Sequence, residues 1–203
     1  MVGYSRTALR AGSLLALIPS LLLWTGSASA AGSPPVHYTL DASRSLLRFS
    51  FEQAGATNTG RFSKFTTDLL FATDNLPACK LDVTVDVASL DTGDKDRDDT
   101  LKGADLFNVA KTPQARFVAT KFTDMGGGRY EAAGKLTIRG VTKDVKVPLT
   151  FQSRVEQGKT VAFMTGRVPV KRLEYGVGQG EWKSTEWVKD DVSVTFSIRL
   201  TPV

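Results

Sequence analysis

The chain has 203 residues, of which 26 are Lys or Arg and 21 are Asp or Glu, and it contains one histidine and one cysteine. Because basic and acidic residues are interleaved, we expect no dedicated nucleic-acid-binding surface, which would need clustered Lys and Arg. A single cysteine excludes an internal disulfide, and with one histidine it cannot supply the soft ligands of a zinc site. We expect Cys79 to be a small buried residue, with a reactive or intermolecular thiol as the alternative.

The first 30 residues have the pattern of an export signal. Arg6 and Arg10 precede an apolar run at 14–23, and Ala28-Ser29-Ala30 is a small-residue cleavage site. The apolar run is shorter than the roughly 20 residues that a membrane-spanning helix needs. The sequence therefore predicts a Sec signal peptide at 1–30, cleavage after Ala30 and a periplasmic protein. Residues 31–203 are predicted to form one domain.

Most of the remaining chain shows the period-two alternation of β-strands. Apolar and polar residues alternate strictly at 81–87, which is typical of a strand with one buried face. Arg139-Gly140 indicates a tight hairpin, and Pro148 indicates an edge or bulge position. About eight strands at such short spacing favour a barrel or a sandwich. The predicted strands lie at 47–51, 62–71, 81–87, around 117, at 130–138, 141–151, 161–170 and 192–200.

The apolar faces of these strands are rich in phenylalanine. Alternation predicts that the barrel interior is lined by Phe49, Phe51, Phe62, Phe65, Val83, Val85, Phe117, Leu136, Ile138, Phe163 and Phe196. A register error of one residue would turn a whole strand's set outward. Two interpretations stay open: these side chains fill a closed core, or they form the wall of a hollow barrel that holds one slender ligand.

A short amphipathic helix is predicted at 96–107, with Phe107 on its apolar side. The run D-K-D-R-D that begins at Asp94 has the acid spacing of a calcium loop, but the glycine and the preceding helix of that motif are missing. We therefore favour a solvated turn whose carboxylates cap the helix N-terminus. We expect Arg97 to pair with a neighbouring carboxylate and, with Asp98, to hold the helix across one end of the barrel.

The connection at 172–188 is long, rich in glycine and aromatic. Long insertions in small β-domains often border binding sites, so Tyr175 and Trp182 are predicted to contact the ligand in a mobile lip at the entrance. The alternative is that Trp182 and Trp187 simply close the end of the barrel.

Catalytic arrangements are nearly absent from the sequence. His37 is the one histidine, and nothing near it in the sequence fits the nucleophile of a Ser-His-Asp or Cys-His arrangement. We therefore predict no catalytic residue and no metal site.

Several segments are similar, in order and spacing, to a known family from about Tyr38 to the C-terminus. They are Tyr38-Thr-Leu-Asp41, Gly60-Arg-Phe62, Asp91-Thr-Gly93, Arg97-Asp98, Gly134-Lys-Leu-Thr-Ile-Arg-Gly140 and Arg172-Leu-Glu-Tyr-Gly-Val-Gly178. Together they make the chain resemble the YceI-like family of lipocalin-like, isoprenoid-binding proteins. Family members often carry histidines where this chain has Arg44 and Thr100, so no role of those imidazoles is expected here.

The resemblance implies an all-β domain: an extended eight-stranded antiparallel lipocalin-like barrel with one short helix and an apolar tunnel. It also implies a non-enzymatic periplasmic carrier of a polyisoprenoid, an isoprenoid quinone or a similar long-chain amphiphile, with that lipid as ligand and no cofactor. One alternative is an enzyme acting on an isoprenoid lipid, with Asp91 or Asp98 at the tunnel mouth. Another is an adaptor for a membrane-bound, quinone-using cytochrome. The oligomeric state stays open, a homodimer included.

Overall fold

The structure, a computed structural model, describes residues 1–3 and 32–203. The predicted signal peptide and its cleavage site lie outside the described residues, apart from residues 1–3, and stay a prediction. No helix in the described ranges is long and apolar enough to cross a membrane. The helix α1 spans Lys95–Lys102, and the strands are β1 (Val36–Leu40), β2 (Leu46–Gln53), β3 (Ala56–Phe62), β4 (Phe65–Phe71), β5 (Lys80–Asp86), β6 (Leu90–Asp91), β7 (Gln114–Gly126), β8 (Arg129–Ile138), β9 (Val141–Glu156), β10 (Lys159–Lys171) and β11 (Val188–Pro202).

These strands form one closed barrel. β1 with β2, β3 with β4, and β5 with β6 are the two arms of three bent strands, so the barrel has eight long strands. All pairings are antiparallel, and β11 closes the barrel by pairing with β1 (Leu40 opposite Leu200) and with β2 (Phe49 opposite Val194). The predicted all-β, eight-stranded antiparallel barrel with one short helix is confirmed.

Tight turns connect several of the neighbouring strands. Arg139-Gly140 joins β8 to β9 with φ values of 49° and 78°, as the predicted hairpin requires. Ala54-Gly55 joins β2 to β3, and Gln157-Gly158 joins β9 to β10, in the same way. In each turn a glycine takes the second left-handed position, where a side chain would add strain.

One end of the barrel is filled by a packed apolar core. The Phe71 ring contacts the rings of Phe122, Tyr130 and Phe151 at centroid distances of 5.7, 5.0 and 4.4 Å. Cys79 is fully buried in the same core. Burial raises the pKa of the Cys79 thiol, and a buried, protonated thiol is unreactive. The structure thus favours the interpretation of Cys79 as a small core residue.

α1 is shorter than the sequence predicts. It begins at Lys95, where the Asp94 carboxylate accepts a hydrogen bond from the Arg97 amide at 3.0 Å, and it ends at Lys102. The chain continues from Gly103 in turns, because the Asn108 amide bonds back to the Gly103 carbonyl at 2.8 Å. The predicted helix at 96–107 was therefore too long.

The strands β9 and β10 separate partway along their length. Their pairing extends as far as Leu149 opposite Gly166. Pro148 is the next residue of β9, and its ring nitrogen has no hydrogen to donate to a neighbouring strand. The edge or bulge position that the sequence indicated at Pro148 lies at this point of separation.

Candidate ligand-binding site

The end of the barrel near α1 contains a cavity of about 670 Å³. This volume lies within the range of small-molecule sites, about 300–1,000 Å³. Leu81, Met164 and Ile198 belong both to the cavity lining and to the packed core, so they form the floor between the two ends of the barrel.

Several side chains in the cavity wall are less buried than those at the filled end. Val83, Phe117 and Phe196 line the cavity and are only partly buried, whereas Leu69 and Leu200 in the core are 1% and 0% exposed. In a closed barrel, the exposed area of an inward-facing side chain faces an internal space. The sequence left open whether these side chains fill a closed core or form the wall of a hollow barrel. The first interpretation applies to the packed end of the barrel, and the second applies to the end near α1.

Nearly all of the predicted ligand-binding residues border this cavity. They are Phe49, Phe51, Phe62, Phe65, Val83, Val85, Phe107, Phe117, Leu136, Ile138, Tyr175, Trp182 and Phe196. They come from many strands, from the turn after α1 and from the connection after β10, and the closure of the barrel brings them together.

Phe163 does not line the cavity, so its placement in the interior was wrong. Its neighbours Ala162 and Met164 are 0% and 3% exposed, and the Phe163 ring lies on the outer face, 4.2 Å from the Arg154 guanidinium. A guanidinium can cover an aromatic ring at the surface. Residues 161–164 are all apolar, so alternation could not decide which of them faces inward.

Two glycines leave space for Phe rings to lie flat against the cavity wall. Phe49 lies opposite Gly60, and Phe196 lies opposite Gly166. A Cβ at Gly60 would lie 2.3 Å from Cζ of Phe49, and one at Gly166 would lie 2.3 Å from Cζ of Phe196. Each ring therefore covers a neighbouring glycine instead of filling the barrel, which leaves the central space open.

Most of the solvent-exposed lining residues lie on or next to α1 and on the β2–β3 hairpin, which indicates that the cavity opens between these two elements. α1 contributes Asp96 and Thr100, and the hairpin contributes Ala54 and Ala56. The sequence had placed the entrance at 172–187. The rim is polar on the helix side, and water can hydrate its polar groups.

Asp98 holds α1 against the barrel. One oxygen of its carboxylate accepts hydrogen bonds from the amide and the hydroxyl of Thr92, at 2.9 and 2.6 Å. Arg97 instead pairs with Asp94 of its own turn at 3.6 Å, and 30% of its side chain is exposed. Arg97 thus pairs with a neighbouring carboxylate as predicted, but this partly exposed pair lies within one turn and adds little to the attachment, which is made by Asp98 to the residue after β6. The described residues contain no group of three or more His, Cys, Asp or Glu that could hold a metal ion.

Arg172 organises the connection between β10 and β11, a role that the sequence analysis missed. It is 5% exposed, and burial lowers the pKa of its guanidinium. A Cβ at Gly178 would lie 2.0 Å from Nη1 of Arg172. The Arg172 guanidinium can therefore take this position only because residue 178 is a glycine. The side chain of Arg172 donates hydrogen bonds to the carbonyls of Val177, Trp182, Ser184, Val188 and Lys189.

This connection covers part of the barrel end. Tyr175 is 3% exposed, and burial raises the pKa of its phenol. The Gly178 amide donates to the Asp105 carbonyl at 3.0 Å, which joins the connection to the turn after α1. Trp182 is partly buried against the apolar clusters, whereas Trp187 is 68% exposed. The interpretation of a closing element therefore fits Trp182 and not Trp187.

The cavity wall offers surface for packing and few reactive groups. His37 lies on β1 beside Asp68, and Cys79 lies in the filled core; neither lines the cavity. Within the described lining, the charged side chains lie at the mouth or are committed elsewhere, as Arg172 is to carbonyls and Arg116 to Asp82 on the outer face. The arrangement suits the burial of an apolar molecule.

A closed antiparallel barrel with an apolar internal cavity defines the lipocalin-like class of proteins. Within it, the chain belongs to the YceI family: the model of the YceI-like domain matches residues 38–200. Among curated relatives, a UPF0312 protein of Vibrio parahaemolyticus is 33% identical over 115 residues, which are 57% of this chain and 58% of that protein. The chain thus spans less than two thirds of the length of this relative.

Solved structures share the fold. BcnA of Burkholderia cenocepacia is 34% identical and superposes with a TM-score of 0.75, covering 79% of this chain and 98% of BcnA. A domain of Saccharophagus degradans, described as a polyisoprenoid binding domain implicated in plant cell wall breakdown, is 18% identical with a TM-score of 0.67, covering 83% and 99% of the two chains. At that identity, the second likeness concerns the fold alone.

Proposed function

We propose that the protein binds one polyisoprenoid, isoprenoid quinone or similar long-chain amphiphile in the barrel cavity, and carries or sequesters it in the periplasm. The observation that carries this proposal is the apolar cavity of about 670 Å³ at one end of an otherwise packed barrel. The polyisoprenoid-binding description of the Saccharophagus domain supports the same ligand class. The export pattern at 1–30 supports the periplasmic location.

Hydrophobic burial alone can supply the affinity. Each buried CH₂ group contributes about 0.8 kcal/mol, so a chain of ten such groups gains about 8 kcal/mol before the cost of ordering it. The rings of Phe49, Phe62 and Phe196 line the cavity and offer an apolar surface to the lipid. The apolar wall by itself predicts selectivity for the length and shape of the lipid.

A binding role accounts for the lining better than catalysis does. Asp91 and Asp98, the acids considered for an enzyme, are bound to Arg61 and to Thr92. A membrane-bound, quinone-using cytochrome as partner stays a prediction from the family resemblance.

The first test is lipid extraction from the purified full-length protein, followed by mass spectrometry. The proposal predicts a stoichiometric isoprenoid lipid. The second test titrates delipidated protein with a polyprenol and follows tryptophan emission. Trp182→Phe should remove most of the response, because Trp182 lines the cavity, whereas Trp187→Phe should retain it, because Trp187 is exposed. Absence of a co-purified lipid together with no polyprenol binding would overturn the proposal.

A further inference from the structure

Deep in the cavity, one polar side chain makes no hydrogen bond within the part of the chain that the structure describes. Thr67 lies on the inner face of β4, lines the cavity and is 5% exposed. Its hydroxyl makes no hydrogen bond to any described residue. Buried hydroxyl groups in proteins are nearly always paired, so each exception indicates a missing partner or a function.

The position of Thr67 is at the floor of the cavity. It stands opposite Val83, which lines the cavity, and the next inward-facing residue of β4 is Leu69 of the filled core, 1% exposed. Because the Thr67 side chain itself lines the cavity, a ligand that fills the cavity contacts it. A valine has nearly the same shape and would leave no unpaired hydroxyl in the ligand-free protein. The threonine therefore lowers the stability of the ligand-free protein without improving its packing.

The polar groups at the mouth differ from Thr67 in this respect. Asp94 accepts the Arg97 amide at the helix N-terminus, and Thr100 is exposed to solvent. These groups are satisfied without a ligand. Thr67 is therefore the lining group whose hydrogen bond depends on what occupies the cavity.

We propose that Thr67 donates or accepts a hydrogen bond with a neutral oxygen of the bound lipid, and so selects oxygenated isoprenoids, such as alcohols and quinones, over hydrocarbons. The oxygen is neutral because the charged lining groups lie away from the floor: Arg97 at the mouth, Arg116 paired with Asp82, and Arg172 bonded to carbonyls. An unpaired phosphate would be costly at an apolar floor. This inference rests on the proposed function and adds the orientation and the polar group of the ligand.

The test compares two probes, a C20 isoprenoid alcohol and the hydrocarbon that lacks only its hydroxyl. Thr67→Val should weaken binding of the alcohol about tenfold, as expected for one hydrogen bond, and should leave the hydrocarbon within about twofold. Thr67→Ser should retain most of the preference for the alcohol. Thr66→Val, at an exposed position next to Thr67, is the matched control and should change neither affinity.

Stability gives an independent measurement. Since Thr67→Val removes an unpaired buried hydroxyl, the ligand-free variant should melt at a higher temperature than the wild type. A purely structural threonine would give the opposite shift. Equal losses for both probes, or none, would overturn the role of Thr67 while the proposed function stands. Failure of the wild type to bind either probe would overturn the proposed function, and this inference with it.

Discussion

Arg172 illustrates how a single buried charge can order a long connection without an ion pair to any carboxylate of residues 32–203. Its NH groups point at backbone carbonyls from Val177 to Lys189. Carbonyl dipoles converging on a guanidinium offset the loss of its hydration. Removing the guanidinium would leave these carbonyls buried and unpaired, so the connection and the barrel end that it covers should loosen together.

Arg172→Met should therefore lower the free energy of unfolding by about 3 kcal/mol, the usual scale for breaking a buried polar network. Arg172→Lys should recover only part of this loss, because one ammonium group has three donors and no planar fork. Arg167→Met is the matched control. It lies on the exposed face of β10, bonds the Ser193 hydroxyl at 2.6 Å and should cost much less. Equal losses in urea unfolding for Arg172→Met and Arg167→Met would contradict the organising role of Arg172.

At the scale of single elements, the pairing of β2 with β3 keeps the cavity open. Phe49 covers Gly60, and a Cβ there would meet only the end of the Phe49 ring, at 2.3 to 3.0 Å. The ring can swing away from the wall, but it then enters the cavity. Gly166 differs, because a Cβ there would also lie 2.5 Å from the Pro148 carbonyl oxygen, which cannot move as freely.

Gly60→Ala should thus leave the thermal midpoint nearly unchanged and weaken polyprenol binding roughly tenfold, the equivalent of losing between one and two buried CH₂ groups. Gly166→Ala should lower both stability and binding, since backbone must shift. Adding Phe49→Leu to Gly60→Ala should restore part of the affinity. If Gly60→Ala bound polyprenol as tightly as the wild type, Phe49 would not control the open volume.

The same elements show which features of the fold and the cavity could be predicted from the sequence. Strands with clean alternation, such as β2 and β5, had their inward faces predicted by period alone, and the hairpin at Arg139-Gly140 followed from turn chemistry. The face of Phe163 could not be predicted, because β10 is apolar on both sides there and Arg154 comes from the neighbouring strand. The mouth of the cavity and the contacts of Arg172 depend on tertiary packing between distant segments, which local pattern does not encode.

At the scale of the whole molecule, the barrel combines a filled end with a hollow end. The filled end contains Leu69 and Phe71 in close contact with neighbouring side chains, at 1% and 3% exposure. At the hollow end, Leu136 packs against the cluster that contains Val170 and Tyr175, but it is only partly buried and lines the cavity. Folding stability should therefore come mainly from one end of the barrel, and ligand binding from the other.

A matched pair of leucine truncations tests this division. Leu69→Ala creates a new void in a packed core and should cost about 3 kcal/mol or more, whereas Leu136→Ala only enlarges an existing space and should cost about 1 kcal/mol. Polyprenol affinity should show the reverse order, with the larger loss for Leu136→Ala, because Leu136 lines the cavity and Leu69 lies below its floor. Urea unfolding of the ligand-free variants gives the first comparison, and fluorescence titration gives the second. Equal costs of the two substitutions in the ligand-free protein would mean that the wall collapses onto Leu136 in solution, and the division between a packed end and a hollow end would then be wrong.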